Sequence, residues 1–183
     1  MQAAARLALA LLLLMSLPGC TGVPDGLEPV REFELERYLG TWYEIARLDH
    51  RFERGLTDVS ATYALREDGE IEVRNRGFEP EKQRWKEAIG RARPIGAPDT
   101  GSLKVSFFGP FYGGYHVIAL DRERYGSAMV SGPDRGYLWI LAREKQISPE
   151  RRDALVDQAR ASGFDVDALI WVEHSREDPA LSP

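Results

Sequence analysis

The chain has 183 residues, 43% hydrophobic and 29% charged, with 24 Lys+Arg against 29 Asp+Glu, a formal net charge of -5 and a single cysteine. That length and composition fit one ordinary globular domain and not a disordered chain. The acidic balance argues against nucleic acid as a partner, because a phosphate-binding face needs clustered Lys and Arg; one cysteine excludes an internal disulfide and a multi-cysteine metal site.

Residues 1–19 hold one charge, Arg6, ahead of the apolar run 7–15. That run is too short to span the roughly 30 Å hydrocarbon core as a helix, and with the small residues that follow it has the layout of a secretory signal peptide. Leu17-Pro18-Gly19-Cys20 follows, and it resembles the lipobox of bacterial lipoproteins. The resemblance implies cleavage before Cys20, diacylglycerol on its thiol and an acyl chain such as palmitate on the new amine. Pro18 departs from the usual small residue, and Thr21 stands where an Asp would signal retention at the inner membrane. The outer membrane is therefore implied, with the chain facing the periplasm. Stable anchoring takes about two lipid signals, so such a cysteine would hold firmly. With two glycines and two prolines, the stretch 21–29 reads as part of a flexible tether over 20–33.

From Gly40 onward, short segments with strand character alternate with turn signals. The expected strands are 41–48, 59–65, 71–75, 82–93, 102–107, 115–120, 126–130 and 137–143. Asp68-Gly69 suits a tight hairpin, and Gly109-Pro110, Gly113-Gly114 and 131–134 are further turns. A meander without crossover helices favours an up-and-down barrel or a sandwich. One helix is signalled next: Ser148 can cap it, Pro149 suits its first position, and Gly163 can end it. Leu155, Val156 and Ala159 form its narrow apolar stripe, and 168–172 is a last strand candidate.

Three short motifs then coincide with these elements. Gly40-Thr41-Trp42 opens the first strand, Asp121 and Tyr125 bracket the turn between the sixth and seventh, and Arg143 ends the eighth. Together they resemble the three signatures of the lipocalin family, and the stretch 104–115 resembles the bacterial outer-membrane lipoprotein lipocalins in particular. The resemblance implies an all-β, lipocalin/calycin fold: an eight-stranded antiparallel up-and-down barrel over 34–175, one C-terminal helix packed outside, and a tail at 176–183. It also implies that Trp42 plugs the narrow end of the barrel, with Arg143 over its indole and Gly40 allowing the close turn.

Strand alternation, phased on Trp42 and Arg143 facing in, yields the interior. The candidate ligand-contacting residues are Glu44, Ala61, Tyr63, Val73, Asn75, Ala88, Val105, Phe107, Tyr115, Val117, Ala128, Tyr137 and Trp139. Ala46, Gly90, Ala92, Leu103, Ala119, Val130 and Leu141 complete the inward set. Small side chains on several strands leave room for one small ligand.

The resemblance implies a lipid with one acyl chain, a fatty acid or lysophospholipid, held for storage or transport in envelope maintenance. The partners expected are that lipid and the outer membrane, the chain being a monomer or homodimer, with no cofactor or metal. An alternative is a packed scaffold barrel that binds an envelope protein through the apolar loop 107–112. Lipid-modifying catalysis has less support. The sole cysteine is used for lipidation, His50, His116 and His174 are scattered, and no Gly-x-Ser-x-Gly elbow or His-Glu-x-x-His pair is present.

Overall fold

The computed structural model describes residues 21–181; the leader read at 1–19 and Cys20 lie outside the described residues. Among the described residues, β1 (Gly40–Arg47), β2 (Thr57–Leu65), β3 (Ile71–Glu79), β4 (Arg84–Pro94), β5 (Ser102–Phe108), β6 (Phe111–Leu120), β7 (Ser127–Ser131) and β8 (Leu138–Ala142) follow in order. Each pairs antiparallel with its sequence neighbour, and β1 pairs with both β8 and β2, closing an up-and-down barrel. Pro80 stops β3 in a single 3₁₀ turn, Pro80–Lys82, so β4 starts two residues later than the expected 82.

The barrel is not uniformly zipped. β1 pairs with β2 only over Gly40–Tyr43, and beyond that the short β9 (Ile170–Trp171) takes the free edge at Ala46 and Arg47. The tail continues this cover: the His174 Nε2–H donates to the Glu44 carbonyl at 2.8 Å. β4 pairs with β5 only from Arg91 to Pro94, so its first half, toward the mouth, has no β5 partner.

Two short features frame the barrel. α1 (Leu35–Tyr38) was not signalled in the sequence; it crosses the narrow end and drives Tyr38 into the interior. α2 (Pro149–Ala161) is the expected outer helix. The Arg151 N–H donates to Ser148 Oγ, Pro149 is its first residue, and Gly163 takes φ +82 just past its end. Leu155 packs on Ile45, Ala46, Ile140 and Ala142, while Ala159 joins Leu48, Ala119, Met129, Leu138 and Phe164.

Those contacts correct two inward assignments. A bulge in β1 shifts the register between Glu44, opposite Leu141, and Ala46, opposite Ile140. Ala46 therefore faces α2, and Arg47, opposite Trp139, faces in. A second bulge in β6 does the same between Val117 and Ala119, turning Ala119 out and Leu120 in. An extra residue inverts every later position on a strand, and simple alternation does not register it.

The segment expected to be a flexible tether is held against the barrel wall. The Val30 N–H donates to Val117 O, the Gly101 N–H to Val30 O, and the Phe33 N–H to Asp99 O. Arg135 bonds the Asp25 carbonyl, Leu27 packs on the cluster under α2, and Pro24 is buried. Backbone partners and apolar contacts thus override what the Gly and Pro content suggests.

Candidate functional site: the barrel interior and its mouth

The floor is a sealed aromatic plug. Trp42 is fully buried, and its indole N–H donates to the Tyr38 carbonyl at 2.8 Å. The Arg143 guanidinium lies 3.9 Å from the Trp42 ring centroid and donates to the carbonyls of Arg37, Tyr38, Leu39 and Thr41. Gly40 has φ +91, and a Cβ there would sit 3.4 Å from Arg143 Nη1, so this turn needs glycine. At the neighbouring turn the Tyr125 N–H donates to Asp121 O, and the Tyr125 hydroxyl accepts from the Glu34 N–H. The five signature residues thus tie α1, β1 and two turns together at one end.

Above the plug the Tyr115 hydroxyl lies 2.7 Å from that of Tyr38 and 2.8 Å from that of Tyr63. Burial pushes all three phenols upward, so they stay neutral and serve as a hydrogen-bonded ladder. Val73, Val117, Ala128 and Leu141 fill the rest of this layer. Tyr63, Val73, Val117 and Ala128 therefore face in as expected, but they build the floor of the cup.

The open part lies higher, along β2 to β5. Trp42, Ala61, Asn75 and Ala88 stand opposite one another strand by strand, so they share the inner face. Ala61, Asn75, Val105 and Phe107 are only half-buried and Ala88 is exposed, which is what an accessible cup lined by small and apolar groups produces. Gly90 belongs to the same wall: a Cβ would lie 2.8 Å from the Phe107 ring, so its absence lets that ring fold across. Asn75 Oδ1 is buried without a hydrogen-bond partner.

At the mouth the structure assembles a polar cluster only partly legible in the sequence. Arg47 donates to Glu44 Oε1 at 2.7 Å, with both side chains almost fully buried, and it also bonds the Glu53 and Leu56 carbonyls of the β1–β2 loop. That loop turns the Glu53 carboxylate inward, where it accepts from the Trp139 indole N–H at 3.0 Å and lies 2.9 Å from His50 Nε2. The Tyr137 and Trp139 rings flank His50. Burial, and then the Glu53 charge, push the Glu44 carboxyl well up, against the opposing pull of Arg47. Burial also works against ionised Glu53, but His50, the Trp139 N–H and Arg47 outweigh it and hold Glu53 below its usual range. One proton therefore favours Glu44, and Glu53 carries the negative charge.

Glu44, Tyr137 and Trp139 thus come together as the inward assignment expected. Arg47, His50 and Glu53 join them through a bulge and a loop. The polar run 49–54 between two strands was the one available signal for a loop that folds over the mouth.

The other histidines do not share this site. The His116 Nε2–H donates to Gly22 O, and its Nδ1 accepts from the Ser102 hydroxyl. Burial lowers its pKa, which keeps the ring neutral on the outer wall. Among the described residues no group of three or more His, Cys, Asp or Glu could hold a metal ion, and no helix is long and apolar enough to cross a membrane.

Comparison with known proteins agrees with this geometry. The lipocalin-like domain family matches residues 33–174. The outer membrane lipoprotein Blc of Citrobacter freundii is 57% identical over 150 residues, 82% of this chain and 84% of that one. Blc of Vibrio cholerae serotype O1 is 52% identical over 157 residues, 86% and 92% of the two chains. Among solved structures, insecticyanin from the tobacco hornworm Manduca sexta superimposes with a TM-score of 0.66 at 21% identity, covering 85% of this chain and 88% of its own. That likeness shows the fold alone. The family is one of binding proteins and not of enzymes, and the chain is a binding protein in the same sense. From its barrel, its signature plug and these relatives, the chain belongs to the lipocalin family, among its outer-membrane lipoproteins.

Proposed function

We propose that this lipocalin is acylated at Cys20, faces the periplasm, and holds one lipid with a single acyl chain, a fatty acid or lysophospholipid, for storage or transport at the envelope. The observation that carries this reading is the polarity gradient inside the barrel. Ala61, Ala88, Val105 and Phe107 line an accessible apolar wall, and the Arg47, His50 and Glu53 groups sit at its mouth. An acyl chain of about 14 methylenes gains about 0.8 kcal/mol for each one buried, or about 11 kcal/mol gross. Association and ordering costs remove several kcal/mol, leaving roughly micromolar binding. Arg47 Nε is buried without a hydrogen-bond partner, so an oxygen-rich head group at the mouth finds an unused donor there.

The test uses soluble protein with the leader removed and Cys20 replaced by serine. Titration with lysophospholipid should shift tryptophan emission, because Trp139 lies at the mouth. Native mass spectrometry should show one lipid per chain. Unchanged emission together with a lipid-free mass would sink the proposal.

A further inference from the structure

Along the cup wall formed by Ala61, Asn75, Ala88, Val105 and Phe107, only Asn75 is polar, and nothing in the barrel answers its acceptor. Its Oδ1 is buried without a hydrogen-bond partner. The residues beside it in register are Ala61 on β2 and Ala88 on β4, and a methyl group has no proton to give. A buried acceptor left unpaired is costly, and a hydrocarbon chain lying against it does not relieve that cost. The two alanines leave space beside the amide, which a larger side chain at either place would cover.

One inward step along β4 toward the mouth stands Lys86. The β3–β4 register runs unbroken from Ile71 opposite Ala92 to Glu79 opposite Arg84, so alternate residues of β4 keep one face throughout. Ala92 is buried in the barrel core, whereas Trp85 lines an outer crevice with Asp178 and Leu181 of the tail. Lys86 therefore shares the inner face with Ala92, Gly90 and Ala88. Opposite it stands Gly77, which puts no side chain in its way. Lys86 is exposed, forms no ion pair among the described residues, and its Nζ donates to the Phe52 carbonyl at a long 3.4 Å. Other cations of the adjoining turns are already engaged, Arg54 with Asp49, and Lys82 and Arg84 with Glu79.

Two residues of strand and one strand spacing separate Lys86 from Asn75, so their backbone positions lie about 8 Å apart. The lysine side chain spans most of that gap. An anion on Nζ and a hydroxyl on Asn75 Oδ1 can thus belong to one small head group.

We infer that Asn75 and Lys86 form a subsite that reads an anionic group at the rim and, a few bonds deeper along the ligand, a free hydroxyl. The inference rests on the reading of the cup as a site for a single-chain lipid and deepens it. Lys86 holds the anion, Asn75 Oδ1 accepts from the hydroxyl, and the acyl chain continues down the wall of Ala61 and Val105. Two lipid classes carry this chemistry: monoacyl glycerophospholipids, through the glycerol hydroxyl, and 3-hydroxy fatty acids. A plain fatty acid lacks the donor, because its ionised head group only accepts.

The experiment uses the same soluble protein, leader removed and Cys20 replaced by serine, which keeps every described residue. Displacement of a fluorescent fatty acid reads the dissociation constants. Two matched pairs are compared: 3-hydroxytetradecanoate with tetradecanoate, and 1-myristoyl-glycerol-3-phosphate with its 2-deoxy analogue. In at least one pair the hydroxylated member should bind about three- to tenfold tighter, and the pair that shows it identifies the source of the hydroxyl. Asn75→Leu, close in size and without an acceptor, should bring that ratio to about one. Lys86→Met should weaken both members of the pair alike, and the loss should shrink as salt is raised.

A ratio of one in both pairs for the parent protein overturns the inference, and that readout needs no variant to fold. So does a ratio that survives Asn75→Leu in a variant that melts cooperatively, or a Lys86→Met chain with unchanged affinity. If neither the fluorescent fatty acid nor any of the four lipids binds, the single-chain lipid reading has itself failed, and the subsite fails with it.

Discussion

Glu44 and Arg47 meet at 2.7 Å inside the barrel although they lie three residues apart on one strand. In a regular strand that spacing puts two side chains on opposite faces. The bulge between Glu44 and Ala46 reverses the phase of Arg47 and makes the contact possible. The pair then becomes the base on which the β1–β2 loop closes, because Arg47 reaches the Glu53 and Leu56 carbonyls from it.

The two halves of this pair should respond unequally to removal. Glu44→Ala takes away the acceptor on Arg47 Nη1 and leaves a buried guanidinium short of one hydrogen bond, and should cost about 1.5–3 kcal/mol of unfolding free energy. Arg47→Met should cost less, because the Glu44 carboxyl already favours its protonated form. The double variant should recover much of the Glu44→Ala loss. Urea melts of the three variants decide it, and equal costs for the two single changes would refute the asymmetry.

The aromatic plug carries a separate prediction. Trp42→Ala should destabilise by about 3–5 kcal/mol through lost burial and an unfilled cavity. Arg143→Lys keeps the charge but cannot serve four carbonyls from one planar fork, and should cost about 1–3 kcal/mol. Thermal melts of both variants, read against lipid titrations, should show lower stability with little change in head-group preference.

Asp58 gives the acid limb of the stability profile. Its side chain accepts from the Ser175 and Arg176 N–H groups, the Thr57 hydroxyl and the Arg176 guanidinium, pinning the tail across β2. Burial opposes the charge, but these donors prevail and hold the carboxyl below its usual value. A carboxyl lowered in the native state adds stability above its unfolded pKa of about 3.9, and that stability is lost as pH falls through the native value. Asp58→Asn should therefore cost about 1.5–3 kcal/mol at pH 7, and the gap should narrow below about pH 4. Melts from pH 2.5 to 7 test the slope; a constant gap would refute the linkage.

Ala88 tests the cup without touching the plug. It faces in by register opposite Asn75, yet it is exposed, so a larger side chain enters the cup and not a packed core. Ala88→Trp should weaken lysophospholipid binding at least about tenfold, about 1.4 kcal/mol, and leave the melting temperature nearly unchanged. Displacement of a fluorescent fatty acid reads the affinity. Unchanged affinity would move the ligand away from this wall.

The strand order, the outer helix and the five plug residues Gly40, Trp42, Asp121, Tyr125 and Arg143 were all legible in the sequence. Each rests on local signals: turn residues at short spacing, Ser148-Pro149 at a helix start, and motifs placed at strand ends. Alternation also placed Ala61, Asn75, Ala88 and Trp139 on the inner face, because those strands run without interruption between Trp42 and their own bulges. It failed at Ala46 and Ala119, where one extra residue lets each strand turn a small side chain toward α2.

What the sequence by itself determined is the kind of barrel and the face that most residues present, since turns and a two-residue period are properties of neighbouring residues. Only the tertiary structure decided that Arg47, His50 and Glu53 converge at the mouth, that Tyr38 drops onto the plug, and that residues 21–33 are pinned to the wall. Those outcomes depend on partners far away in the chain: Trp139 for Glu53, Tyr115 for Tyr38, His116 for Gly22. A hydrogen bond between residues some 80 or 90 positions apart leaves no periodic trace in the sequence that makes it.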